Sequence, residues 1–227
     1  MRYLIVNADD LGAGPGVNRG ILEAHARGIV TSASLMVDTP WSAEAAVLSR
    51  AAPSLSVGLH VALPAAADRL SLEVVRDELR RQFARFEMLM GRGPTHLDSH
   101  HNVHRDPALL ASFLELSHRS GLPLRAHSPV RYFSKFYGQW GGKNHPEQVG
   151  VESLSRMLAV EIGEGLTELS CHPGYVDPLV PSGYALEREV ELRTLCDPLA
   201  RRAVEANGFA LVSYHDLDRL TAVHPRR

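Results

Sequence analysis

Lysine is almost missing from this chain of 227 residues: Lys135 and Lys143 are the only two, and arginine carries the rest of the positive charge. Both lysines fall in one glycine-rich stretch, so a binuclear metal site bridged by a carboxylated lysine at a strand end has no residue to build on. Cysteine is equally scarce. Cys171 and Cys196 lack metal-type spacing and read as reduced core residues rather than a disulfide. No uninterrupted apolar run has membrane length, and Met1–Val6 meets Asn7, Asp9 and Asp10 too soon for a signal peptide; a cytoplasmic protein without a membrane partner is expected. The formal charge is only -2, with no basic stripe interleaved with aromatics, which argues against nucleic acid as a partner. What is present, 44% hydrophobic and 22% charged residues, suffices for a sizeable core, and residues 1–227 are expected to form one domain.

The most unusual stretch is Thr95–His104, which holds His96, His100, His101, His104 and Asp98 within ten residues. If it begins as a strand, a period of two places His96, Asp98 and His100 on one face and Leu97 and Ser99 on the other. Imidazole with carboxylate suits zinc, manganese or cobalt, and magnesium where waters complete the shell. Scattered surface histidines and a turn aspartate are the bland alternative, which this density beside an acid outweighs.

The rest of the chain alternates strand and helix patterns. A first strand over Tyr3–Ala8 runs into Asp9 and Asp10, adjacent carboxylates that are costly at a buried strand end unless paired or bound to metal. Gly12, Gly14 and Gly16 follow, but not with dinucleotide-loop spacing. Further strands are expected over 29–37, 56–61, the histidine run, 122–126, 166–175 and 208–213, with helices over 17–27, 42–51, 72–90, 107–120, 146–163 and 188–206. His60 and His172 stand at strand ends, as Asp9, Asp10 and His100 do. Residues 128–145 read as one long aromatic loop, too long to be idle in a compact domain, whose rings suit stacking on a flat ligand face or a dimer contact. Seven strands in alternation with helices imply a parallel sheet, and a barrel gathers distant strand ends into one mouth. The expected fold class is therefore α/β, an incomplete seven-stranded (β/α) barrel, with an open doubly wound sheet as the alternative.

Taken in order, Asn7-Ala8-Asp9-Asp10-Leu11-Gly12, Thr31-Ser32-Ala33-Ser34, Gly58-Leu59-His60, the run Thr95–His104 and Cys171-His172-Pro173-Gly174-Tyr175 resemble the motifs of the YdjC/ChbG carbohydrate deacetylase family. That resemblance implies a polysaccharide-deacetylase-like barrel hydrolase that removes N-acetyl groups from amino sugars such as chitooligosaccharides, with one divalent metal ion, magnesium or zinc, and a homodimer. It places the metal ligands on Asp10, His60 and His100, a general base on Asp9 and a general acid on His172. Asp98, His96 and His104 would support the ligands, Asp98 by accepting from a histidine N–H, while Tyr132, Phe136, Trp140 and Tyr175 would contact the N-acetylated sugar. Two departures bear on the choice of sugar: Asn102 stands where similar chains have a third consecutive histidine, and the segment from Val61 to Arg69 is short. The competing expectations are a binuclear metal phosphoesterase or amidohydrolase on the same barrel, and a catalytically silent sugar-binding relative.

Overall fold

The computed structural model describes residues 1–178, 180 and 182–223. Its centre is β1 (Arg2–Leu11), whose apolar Leu4, Ile5, Val6 and Ala8 are fully buried. Around it lie β2 (Ser32–Leu35), β3 (Ser56–Val61), β4 (Leu97–Ser99), β5 (Arg131–Phe133), β8 (Gly165–Cys171) and β9 (Phe209–Leu211), in a seven-stranded sheet ordered β4-β3-β2-β1-β8-β5, with β9 also paired to β1. Every pairing in this sheet is parallel. One edge of β1 serves two partners: Arg2–Leu4 pairs with β9 and Asn7–Leu11 with β2, while the other edge follows β8 from Arg2 to Ala8. The expected count of seven strands is met, in a curled half-barrel.

The helices α1 (Pro15–Arg27), α2 (Ser42–Arg50), α3 (Leu72–Met90), α4 (Pro107–Ser120), α5 (Val151–Arg156), α6 (Ala185–Cys196), α7 (Pro198–Ala206) and α8 (Leu217–Val223) connect the strands. The ends of α3 and α4 follow local rules: Ser71 and Asp106 cap their N-termini by accepting from Val74 and Ala108, and Gly91 and Gly121 end them in the left-handed conformation that glycine tolerates.

Four expected elements change. Residues 122–126 contribute one bridge, Leu97 with Leu124, rather than a strand, because Ala126 turns into the left-handed region at φ 62°. The 128–145 stretch is not one loop; it holds β5 and the hairpin of β6 (Gln139–Trp140) and β7 (Lys143–Asn144). The helix expected over 188–206 begins earlier and is cut in two at Pro198, where proline removes a backbone donor and the preceding Asp197 takes extended geometry. Similarly, 146–163 divides into a 3-10 turn, α5 and a π turn over Met157–Glu161.

Candidate active site

A cleft of about 550 Å³ opens at the C-terminal ends of the strands, lined by Asp9, Asp10, His60, His100, Tyr132 and His172 among others. Asp9 and Asp10 are neighbours on one strand, and strict alternation would send one of them away from the cleft. Asp10 instead adopts φ 68°, and the register of β1 against β2 shifts between Ala8 and Leu11. This break in the pleat brings both carboxylates to the same mouth. His101 and Asn102 are also left-handed, at φ 57° and 53°, so the turn after β4 is held in a backbone conformation that side chains other than glycine adopt rarely.

Asp10 Oδ1 lies 2.9 Å from His100 Nδ1 and 3.2 Å from His60 Nε2, and one ligand atom from each of the three residues falls within 4.8 Å of the others. Among the described residues a second group, Asp9, His60 and Asp98, meets the same distance condition. The two are not equivalent: Arg125 takes both oxygens of Asp9, at 2.6 and 2.7 Å, and touches Asp98 at 2.7 Å, whereas Arg188 takes only the far oxygen Oδ2 of Asp10 and leaves Oδ1 to the two imidazoles. Asp10, His60 and His100 therefore form the donor set that fits a divalent metal: two imidazoles, one carboxylate, and a side open to the cleft.

The charges are arranged by burial and pairing. Burial would push the Asp10 carboxyl up, but Arg188, at 2.5 Å from Oδ2, together with His100 and His60, holds it well below the usual carboxylate range. Burial disfavours a charged His60, yet Asp98, 2.7 Å from Nδ1, and the contacts with Asp10 override it and push the imidazole up to about 10. Asp98 thus lies against a histidine nitrogen, that of His60. For His172, burial wins over the pull of Asp9 and Asp10 and takes the ring down to about 4. Its Nε2 lies 3.8 Å from Asp9 Oδ2, and its buried Nδ1 has no hydrogen-bond partner among the described residues.

The other expected site residues divide. Tyr132 lines the cleft, with its hydroxyl 3.3 Å from Asn102 Nδ2 and 3.2 Å from Ser170 Oγ. Phe136 is fully buried in the core and offers no ring face to a ligand. Trp140 is half exposed on the β6–β7 hairpin, where it stacks on His145 at 3.6 Å, outside the cleft lining. Tyr175 turns away, donating its hydroxyl to Glu23 at 2.5 Å. His96 and Asp98 do share the interior face, where Ser34 Oγ contacts both, but His96 lies deeper, stacked on Tyr214 at 3.9 Å. The absence of a side chain at Gly58 makes that possible, since a Cβ there would come within 2.4 Å of the His96 ring. His104 hydrogen bonds with Ser99 Oγ at 2.7 Å and packs beside Phe113.

Several cleft residues were not foreseen. Arg125 joins Asp9, Asp98 and Glu168, the last at 2.6 Å; the signal was an arginine ending an apolar strand-like run. Arg188 and Glu191 come from α6, with Tyr184 just before it. Glu191 is buried, accepts from Tyr184 Oη at 2.6 Å and from the His172 N–H, and is pushed up by burial to about 8. Tyr137 stacks on Tyr184 at 4.7 Å, forming an aromatic wall against which His172 packs edge-on.

A family model for the YdjC-like protein matches residues 3–206. The chain belongs to this family. The YdjC-like chain is 35% identical to a chitooligosaccharide deacetylase of Serratia marcescens, over 95% of its own length and 99% of that protein's, and 34% identical to a chitooligosaccharide deacetylase of Yersinia enterocolitica with the same coverage. Among solved structures it superposes with a TM-score of 0.81 and 30% identity on an Enterococcus faecalis V583 protein provisionally assigned to cellobiose-phosphate cleavage, covering 95% of this chain and 98% of that one. It also matches a family 4 carbohydrate esterase from Streptomyces lividans, solved with acetate, at a TM-score of 0.57, 13% identity and 94% coverage of both chains. That likeness bears on the fold, which is the deacetylase-type (β/α) barrel. No helix among the described residues is long and apolar enough to cross a membrane.

Proposed function

We propose that this YdjC-like chain is a metal-dependent hydrolase that removes N-acetyl groups from short amino-sugar oligosaccharides of the chitooligosaccharide type. The observation that carries the reading is the convergence of Asp10, His60 and His100 beside a second carboxylate, Asp9, that stays out of the donor set. The 35% identical Serratia marcescens deacetylase supports the substrate class. Two imidazoles and one carboxylate fit zinc, or magnesium with waters filling the shell. When held there, such a cation supplies Lewis acidity for acidifying a water and polarising the amide carbonyl.

The chain's own residues do the rest. Asp9 takes the proton of the attacking water at a carboxylate oxygen; Arg125 grips both of its oxygens and Asn7 Nδ2 donates to Oδ1 at 2.9 Å, so the acceptor is fixed in direction. His172 Nε2, 3.8 Å away, is placed to receive a proton and deliver it to the departing amine nitrogen. Its neutral resting form suits a group that acquires its proton during the reaction. Tyr132 and Tyr137 line the cleft with flat faces for a sugar ring, and Trp140 offers a stacking face farther out. The binuclear alternative gains nothing here, since Lys135 is engaged with Glu161 at the surface and Lys143 lies exposed on β7. A silent sugar-binding protein would not need the carboxylate, imidazole and base together. Cytoplasmic residence, in keeping with two free cysteines, and a homodimer complete the proposal.

The test is acetate release from N-acetylglucosamine and its short oligomers after chelation and restoration of single metals. Metal-dependent release is expected, with Asp9→Asn losing at least about 100-fold in turnover while retaining its metal. Bound metal without release from any of these sugars would overturn the substrate class, and near-normal turnover by Asp9→Asn would overturn its role as base.

A further inference from the structure

Asp10 divides its two oxygens between opposite sides. Oδ1 faces His60 and His100, whereas Oδ2 accepts from Arg188 Nη2 at 2.5 Å. The arginine is itself held: Nη1 donates to the His172 backbone oxygen at 3.3 Å, and the guanidinium lies 5.9 Å from the Tyr184 ring centroid. Its aliphatic arm passes Gly174, where a Cβ would lie 3.3 Å from Arg188 Cδ and 3.3 Å from Val17 Cα. The side chain is only 11% exposed, and the φ of 68° at Asp10 fixes the carboxylate's origin as firmly as Arg188 fixes its far oxygen.

We infer that Arg188 is a positioning residue that restricts Asp10 to a single ligating oxygen, an inference that rests on the metal-site reading above. A carboxylate free to turn could engage a cation through both oxygens and occupy a position that water or substrate needs. One carboxylate oxygen with two imidazoles leaves that position open, the arrangement of catalytic rather than structural sites. The restriction also selects among cations. Calcium favours many oxygens and accepts bidentate carboxylates, whereas zinc and cobalt bind well through imidazole. Releasing Oδ2 adds negative charge for every divalent ion, but adds a second usable oxygen chiefly for the larger one. The ratio of affinities therefore isolates the number of oxygens from the charge.

The experiment uses the full chain, stripped with chelator and loaded with cobalt(II), whose visible spectrum reports coordination number, and then titrated with calcium. For Arg188→Met the calcium needed to displace half of the cobalt, scaled by the cobalt affinity of each protein, is expected to fall about tenfold, within the range seen for partners of metal ligands. The spectrum should shift toward higher coordination, and Arg188→Lys, which keeps the charge and a donor, should restore both readouts. Should Arg188→Met fail to fold by circular dichroism, Arg188→Gln carries the same test, since its neutral amide holds Oδ2 less firmly. A scaled ratio within twofold of the parent, or an unchanged spectrum in a folded variant, overturns the inference even if both affinities drop. A parent protein that gives no cobalt spectrum overturns the metal site itself and this inference with it.

Discussion

Replacing Arg125 with methionine tests whether one guanidinium holds the barrel mouth together. Arg125 is 1% exposed and contacts Asp9 at 2.6 and 2.7 Å, Asp98 at 2.7 Å and Glu168 at 2.6 Å. Burial opposes its charge, and these carboxylates outweigh burial and raise its pKa well above the usual range. Removing one partner of a buried ion pair costs roughly 3–5 kcal/mol, because the remaining charge stays buried. Three carboxylates lose the same partner here, and those that can protonate will relieve part of the cost, so about 4 kcal/mol at pH 7 is expected. Against a total of roughly 5–15 kcal/mol that is a large fraction, equivalent to a fall in Tm of about 8–16 °C for a chain of this size. The pH dependence gives the cause away. In the variant Glu168, already pushed up by burial, loses a cation that lowered it, and Asp98 loses the strongest pull that held it down; groups raised in the folded state contribute most below their unfolded values, and that contribution is lost as pH rises through the folded ones. The deficit relative to the parent should therefore shrink between pH 7 and pH 5. Urea unfolding of both proteins at the two pH values measures it. A deficit below about 1 kcal/mol at pH 7, or one that does not change with pH, would refute the account.

Two further expectations follow from burial. His96 and His104 are each held down to about 4, His96 chiefly and His104 likewise by burial, so the unfolded chain takes up these protons first. Stability is full above the ordinary value of 6.5 and falls as pH drops toward 4, by roughly 2 kcal/mol per ring between pH 7 and pH 5; His104→Gln should decline by about that much less, and an identical pH slope would count against it. Phe136→Ala should cost roughly 3–5 kcal/mol as a core cavity, whereas Trp140→Ala should leave the denaturation midpoint nearly unchanged and raise KM for longer oligomers; a destabilised Trp140 variant with normal KM would reverse that assignment.

The residues at the centre of the cleft could be read from the sequence because they end strands. Asp9, Asp10, His60, His100 and His172 follow apolar runs whose direction a parallel sheet dictates, and a barrel then brings them together. Phe136 and Tyr175 could not be placed that way: aromatic residues in an irregular stretch give no period, and nothing in the sequence separates a ring facing a ligand from one facing the core. Arg188 and Glu191 were hidden for a different reason. Helix α6 carries charges around its whole circumference, so Tyr184, Glu187, Arg188 and Glu191, which share a buried face at helical spacing, look like any solvated face until their partners across the cleft are known. Arg125 fell on a segment expected to be a strand, and the left-handed turn at Ala126 directs the chain elsewhere.

The position of β1 has a consequence for how the molecule is made. Of the strands in this sheet it is made before its partners, which on one side span residues 165–171 and on the other residues 32–35 and 209–211. Parallel pairing over such sequence separations is slow, because the chain must close long loops before those contacts reward it. Until then an apolar strand ending in two carboxylates waits with at least one edge unpaired, and neither Arg125 nor Arg188 has been placed beside it. The paired charges of the cleft are thus a late product of synthesis, and a chain halted before residue 165 would carry an exposed, aggregation-prone edge in place of a catalytic centre.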